Sequence, residues 1–243
     1  MSLQRLLGVE LPVIQAPMAG AHVGALTIAV CQAGGLGSLP CAMLDTAAIR
    51  REIGVIRAAI PSRSFNLNFF CHRPPVPDAA REAAWRSVLA PYYREFGLDI
   101  SAAPALPARY PFDKTSAELV EELRPQVVSF HYGLPDEPLL ERVRATGARI
   151  LSSATTVDEA LWLERRGVAA VIAQGLEAGG HRGHFLADDL SLHSGTFALV
   201  PQFVRALRTP VIAAGGGRPR RRRGGIAARG IDGSGRHGVL VLS

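Results

Sequence analysis

The sequence predicts an α/β fold, a TIM-type (β/α)8 barrel, and three observations predict it. Seven short apolar runs alternate with stretches of helical period. The runs are rich in β-branched residues and lack a polar face, as parallel strands buried on both sides do. Glycine or polar residues follow the runs directly, at 16–20, Asn68, 131–133, 174–183 and 215–217. A doubly wound open sheet is the competing architecture, but it gathers its ligand groups near one switch point. A barrel brings every strand end to one rim. A spread over at least five strands favours the barrel.

The runs fall at 12–18 (PVIQAPM), around Leu36 (GGLGSLP), and at 64–70 (SFNLNFF), 127–132 (VVSFHY), 149–153 (RILSS), 168–174 (VAAVIAQ) and 210–214 (PVIAA). Helical patterns lie at 23–33, 46–59, 138–146, 157–166 and 197–207. The fourth of these starts after Thr155 and Thr156, both good N-caps, and stops at Gly167, a good C-cap. The connection 71–126 is long and rich in proline. Within it, 78–96 reads as a helix with Trp85, Leu89 and Tyr92 or Tyr93 on one face. Such an insertion is either a lid or a helical decoration.

The 243 residues suffice for one domain with a sizeable core. Hydrophobic residues make up 48% and charged residues 20%, which excludes a disordered chain. Three cysteines, Cys31, Cys41 and Cys71, give neither a disulfide framework nor a zinc pattern. The expected setting is the cytoplasm, with no signal peptide and no membrane helix. The net charge of +6 suggests nucleic acid, but its placement argues otherwise. Residues 218–243 carry seven arginines against Asp232 alone, so the remaining 217 residues are neutral. A nucleic-acid domain needs a basic face on its folded body.

The strongest motif is QGLEAGGHRG, 174–183. Gly179 and Gly180 let a flat or anionic ligand approach the backbone. His181 follows on a rim loop, where a histidine can exchange protons near neutral pH. Glu177 and Arg182 are placed to orient or tune it. His131 closes the fourth run in FHYGLP, either as a substrate contact or as a satisfied core histidine. Asn66 and Asn68 share one strand face by the two-residue period; for Asn68 a backbone hydrogen bond is the expected partner. Gly215 begins the glycine run after strand seven, where barrels often bind phosphate. His181 and His184 lack the further ligands that a metal site would need, so no metal is expected.

Together these segments resemble the nitronate monooxygenase family (2-nitropropane dioxygenases). The resemblance rests on PVIQAPMAG, GGLGSLP, FNLNFF, FHYGLP, QGLEAGGHRG, GTFALVPQ and TPVIAAGG, in order from Pro12 to Gly216. It implies FMN held without a covalent bond. It also implies oxidation of alkyl nitronates by O2 to a carbonyl compound and nitrite. His181 would be the catalytic base and His131 would contact the nitro group or the flavin. Met18, Ala19, Asn68, Gln174, Gly179, Gly180, Gly215 and Gly216 would form the cofactor site. PMAG is shared with flavin-dependent enoyl reductases, the related alternative; a non-catalytic remnant is another.

After Gly216 the sequence departs from the family and becomes Arg/Gly-rich, with only 239–242 keeping a strand pattern. The expected organisation is therefore an FMN-binding barrel over 1–216, with an insertion near 72–115, and a disordered tail over 217–243. The resemblance then implies a truncated or frameshifted member. Its barrel would be incomplete at strand 8 and its FMN binding and activity impaired.

Overall fold

The computed structural model describes residues 2–20, 23–102 and 109–215, and the backbone of three short strands at 221–222, 225–226 and 239–242. Helix α1 (Leu3–Leu7) is capped by Ser2 and followed by β1 (Val13–Gln15), α2 (Val23–Gln32) and β2 (Gly37–Pro40). Next come α3 (Thr46–Ala59) and β3 (Phe65–Phe70). The Asp45 side chain caps α3, which buries Ile49, Ile53 and Ile56, one residue per turn on one stripe. Helices α4 (Ala79–Glu95) and α5 (Lys114–Leu123) lead to β4 (Val127–His131). The chain continues through α6 (Glu137–Ala145), β5 (Arg149–Ala154), α7 (Val157–Arg165), β6 (Ala170–Gln174), α8 (Thr196–Ala206) and β7 (Val211–Ala214). The last strands are β8 (Arg221–Arg222), β9 (Gly225–Ile226) and β10 (Val239–Leu242).

Eight parallel strands form one sheet in the order β1-β10-β7-β6-β5-β4-β3-β2. A parallel bridge between Ile14 and Leu36 joins its two ends. There the Gln15 N–H donates to the Leu36 carbonyl and the Leu36 N–H to the Val13 carbonyl, both at 2.9 Å. The TIM-type ring is thus present, and the expected gap at strand 8 takes a specific form. Val239–Leu242 occupies the eighth place, pairing with β1 and β7. Among the described residues, however, no helix separates β7 from β10. Within the predicted tail β8 and β9 also pair with each other, antiparallel; its other residues, and Gly216 with them, lie outside the described residues.

Side chains alternate between the two faces of the sheet. Those facing out, among them Leu39, Phe65, Leu67, Phe69, Val128 and Ile150, pack with the surrounding helices. Those facing in divide by height. Ile14, Leu36, Val127, Leu151, Ala170 and Ile212 fill the bottom, and Leu3 and Leu7 of α1 join them. Polar side chains take over toward the top.

Helix α5 lies in what the sequence presents as part of a long connection. It is amphipathic, buries Ala117, Leu119 and Val120, and is capped by the Asp113 side chain. Residues 73–109 form a separate compact unit. Its helix α4 spans Ala79–Glu95, contains Pro91 and buries none of its residues. No helix among the described residues is long and apolar enough to cross a membrane. The three cysteines are unpaired, and burial pushes their thiols up from the ordinary range.

Candidate active site

The upper interior is polar because strand register points small amides and hydroxyls inward. Asn66 Nδ2 donates to Ser38 Oγ (3.1 Å) and Ser129 Oγ (2.8 Å). Asn68 Nδ2 donates to the Ser129 carbonyl (3.3 Å) and contacts Ser129 Oγ at 3.0 Å. The expected backbone bond of Asn68 is present, together with a side-chain partner. Asn66 Oδ1 is buried and has no hydrogen-bond partner. Gln15 extends the short β1–β2 ladder with its side chain: Nε2 donates to the Ser38 carbonyl (3.3 Å) and Oε1 accepts from the Ser38 N–H (3.1 Å).

The loop after β6 is held by its own polar residues. Gln174 Nε2 donates to the His181 carbonyl and Gln174 Oε1 accepts from the Gly183 N–H, both at 2.8 Å. Arg182 spreads its guanidinium over the carbonyls of Gln174 (3.3 Å), Gly175 (2.7 Å) and Leu176 (3.0 Å). Glu177 accepts from the Thr196 N–H (2.7 Å) and hydroxyl (2.9 Å) at the start of α8. Arg182 and Glu177 therefore direct these hydrogen bonds to backbone groups and the Thr196 hydroxyl, which braces the loop on which His181 sits. Buried Glu159 gathers four donors: the Thr155 N–H (2.7 Å) and hydroxyl (2.8 Å), and the N–H groups of Phe185 (2.6 Å) and Leu186 (3.2 Å).

The two histidines sit differently. His181 is exposed, with Phe70 edge-on to its ring at 5.4 Å between centroids. His131 is partly buried, with Nδ1 2.6 Å from Ser153 Oγ and Nε2 3.0 Å from the His181 carbonyl. Desolvation of the ring, together with the neighbouring His181 and Arg182, pushes its pKa down to about 4 against a weaker opposing effect of the bond to the His181 carbonyl. His131 is therefore neutral at pH 7.

These groups line a cleft at the C-terminal ends of the strands, where barrels hold their reactive groups. Its open volume is about 880 Å³ with solvent included. His131, His181, Asn68, Gln174, Gly179, Gly180 and Gly215 all border it. On the β1 side Ala16 and Pro17 border it. Met18 and Ala19 lie just beyond, on the exposed turn. The walls are apolar, with Ile14, Phe70, Phe130, Leu151 and Ile172. Gln15, Ser129 and Ser153 also face the cleft and carry no signal of their own in the sequence. Only their inward register sets them apart.

The model of the family described as nitronate monooxygenase matches residues 1–233. This chain belongs to the nitronate monooxygenase family. It is 44% identical over 212 residues to a nitronate monooxygenase of Paraburkholderia phytofirmans, covering 87% of this chain and 58% of that protein. It is 42% identical over 217 residues to one from Pseudomonas aeruginosa, covering 87% and 60%. The chain thus spans about three fifths of the length of these relatives. Among solved structures, nitroalkane oxidase from Streptomyces ansochromogenes superposes with a TM-score of 0.74 at 33% identity, covering 87% of this chain and 59% of that one. FabK from Thermotoga maritima shares the fold, with a TM-score of 0.61 at 24% identity over 86% of this chain and 52% of that one.

Proposed function

We propose that the chain binds FMN in the cleft and oxidises alkyl nitronates with O2, giving a carbonyl compound and nitrite. The observation that carries this is the position of His181: an exposed imidazole on a braced loop, at the mouth of a cleft with apolar walls and a polar interior. The residues present fit a flat heteroaromatic ring with polar edges. Asn66 Oδ1 is a buried acceptor in need of a donor. A Cβ at Gly179 or Gly180 would meet nothing within 4 Å, so the backbone there is open to close approach. Asn68, Gln174, Gly179 and Gly180 would hold the ring, with Met18 and Ala19 on the β1 turn. Gly215 would face the phosphate. The flavin, when bound, supplies the electron chemistry and the reaction with O2.

The protein's own part is proton and charge handling. As neutral imidazole, His181 takes a proton from the carbon beside the nitro group of a nitroalkane. As imidazolium, it holds the anionic nitronate by a charge-assisted hydrogen bond. The apolar walls admit the alkyl part and keep water away from the charge.

Two measurements on the purified chain test this. FMN is added, unbound FMN is removed, and the visible spectrum is recorded; nitronate-dependent O2 uptake is then followed. A retained flavin band with O2 uptake is expected, and His181→Asn should lower kcat by about 10²–10⁴-fold. No retained flavin, or full activity in His181→Asn, overturns the proposal. Bleaching by NADH or NADPH without O2, and no nitronate turnover, moves the assignment to a related reductase.

A further inference from the structure

We propose that Ser153 is a positioning residue for His181, acting through His131. This rests on His181 being the proton-handling group. A carbonyl oxygen only accepts, so the His131 Nε2 that lies 3.0 Å from the His181 carbonyl carries the hydrogen. In neutral His131 the other nitrogen, Nδ1, is then a bare acceptor. Ser153 Oγ, 2.6 Å away, donates to it. Ser153 is only 4% exposed, so its hydroxyl has little access to water. The result is a directed chain, from the Ser153 hydroxyl through the His131 ring to the His181 carbonyl.

That carbonyl receives a second donor from Gln174 at 2.8 Å, and the same amide takes the Gly183 N–H at 2.8 Å. Residues 181 and 183 are therefore both tied down, with the His181 side chain left outside the clamp. Gly183 supplies an independent sign that the pair shapes the loop. A Cβ there would lie 2.7 Å from His131 Nδ1 and 2.8 Å from Ser153 Oγ. The backbone passes so close to this hydrogen bond that only glycine fits.

Ser153 thus decides the sign of a contact. With its hydroxyl present, the Nε2–H tautomer attracts the His181 carbonyl. Without it, His131 is free to put its hydrogen on Nδ1. The Nε2 lone pair would then face the carbonyl oxygen, two acceptors in contact, and the loop would move. Small displacements of a reacting group cost much of the rate.

The test combines spectroscopy with a double-mutant cycle on the full chain loaded with FMN. Long-range ¹H–¹⁵N correlation of ¹⁵N-histidine-labelled protein at pH 7 reports the tautomer. His131 is expected neutral with its hydrogen on Nε2, and Ser153→Ala should introduce the Nδ1–H form. Ser153→Ala should lower kcat for nitronate about tenfold or more, with KM and FMN retention nearly unchanged. His131→Gln keeps a donor that can reach the His181 carbonyl without help from Ser153. In that background Ser153→Ala should change kcat by less than about twofold, since the coupling has been removed. An Nδ1–H or charged His131 in the unmodified chain overturns the proposal. So does a kcat loss from Ser153→Ala that is equally large with and without His131. A chain with the Nε2–H signature but no turnover fails the assignment of nitronate oxidation and supports the hydrogen-bonded link.

Discussion

The two ends of the barrel interior solve opposite problems with the same strands. At the bottom, Ile14, Leu36, Val127, Leu151, Ala170 and Ile212 meet Leu3 and Leu7 in a packed apolar plug. At the top, Ser38, Asn66, Asn68, Ser129, Ser153 and Gln174 leave an open cleft lined with hydrogen-bonding groups. Strand β5 shows the change in two steps, from Leu151 in the plug to Ser153 in the cleft. The bottom gains by excluding water, at about 25 cal/mol per Å² of apolar surface buried. The top gives up that gain to keep polar groups in fixed directions. The apolar plug lies at one end and the candidate site at the other.

The comparison breaks first if substitutions at the two heights act alike. Leu151→Ala should cost about 2–5 kcal/mol, because its fully buried side chain leaves a cavity where the plug meets the floor of the cleft. Thermal unfolding checks this, with a drop of roughly 2–4 °C for each kcal/mol in a domain of this size. Ser153→Ala, two residues along, should leave most of the melting temperature intact. Glu159→Gln comes next. It places an NH2 group among the four donors that converge on Glu159, so it should cost about 1–3 kcal/mol and loosen the loop through Phe185 and Leu186. A denaturation midpoint equal to that of the parent would show that the carboxylate charge is not needed there.

The third prediction concerns pH. His131 titrates at about 4 in the fold, while the unfolded chain takes up that proton near 6.5. Between these values the unfolded state binds more protons, so stability falls as pH drops from 6.5 toward 4 and is fully present above 6.5. His131→Gln removes this contribution, and its stability-against-pH curve should be flatter than the parent's over that window. Parallel curves would show that the ring is not desolvated.

The sequence exposes much of this division, though unevenly. Strand ends are visible because apolar runs stop abruptly at glycine or polar residues, so Gln174, Gly179, Gly180 and His181 stand out. Helix α5 is hidden by the proline-rich run before it, although Ala117, Val120 and Leu123 have helical spacing. Ser152 and Ser153 are indistinguishable as letters. Ser152 donates to the Gly133 carbonyl at 2.8 Å, and Ser153 serves His131 at 2.6 Å. Only register separates them. The role of His131 is likewise unreadable, since it depends on a carbonyl fifty residues away in sequence. Glu177 and Arg182 lie near His181 in sequence, but that their hydrogen bonds go to backbone groups and the Thr196 hydroxyl is set by the fold.

The smallest expected effect on stability is the most informative about the cleft. Gly179 does not have the left-handed backbone of Gly180, whose φ is +76°, and a Cβ at residue 179 would meet nothing within 4 Å. Gly179→Ala should therefore change stability by no more than about 0.5 kcal/mol, as an unstrained surface substitution does. If residue 179 is only part of a turn, FMN retention will not change either. If the cofactor lies against this backbone, the added methyl occupies its space and FMN affinity falls while the melting curve stays where it was. Gly180→Ala gives the contrast: its left-handed backbone adds strain of about 1 kcal/mol, so it should lower both. Loss of binding without loss of stability at residue 179, beside loss of both at residue 180, would show that the open end of the barrel spares this backbone for a ligand.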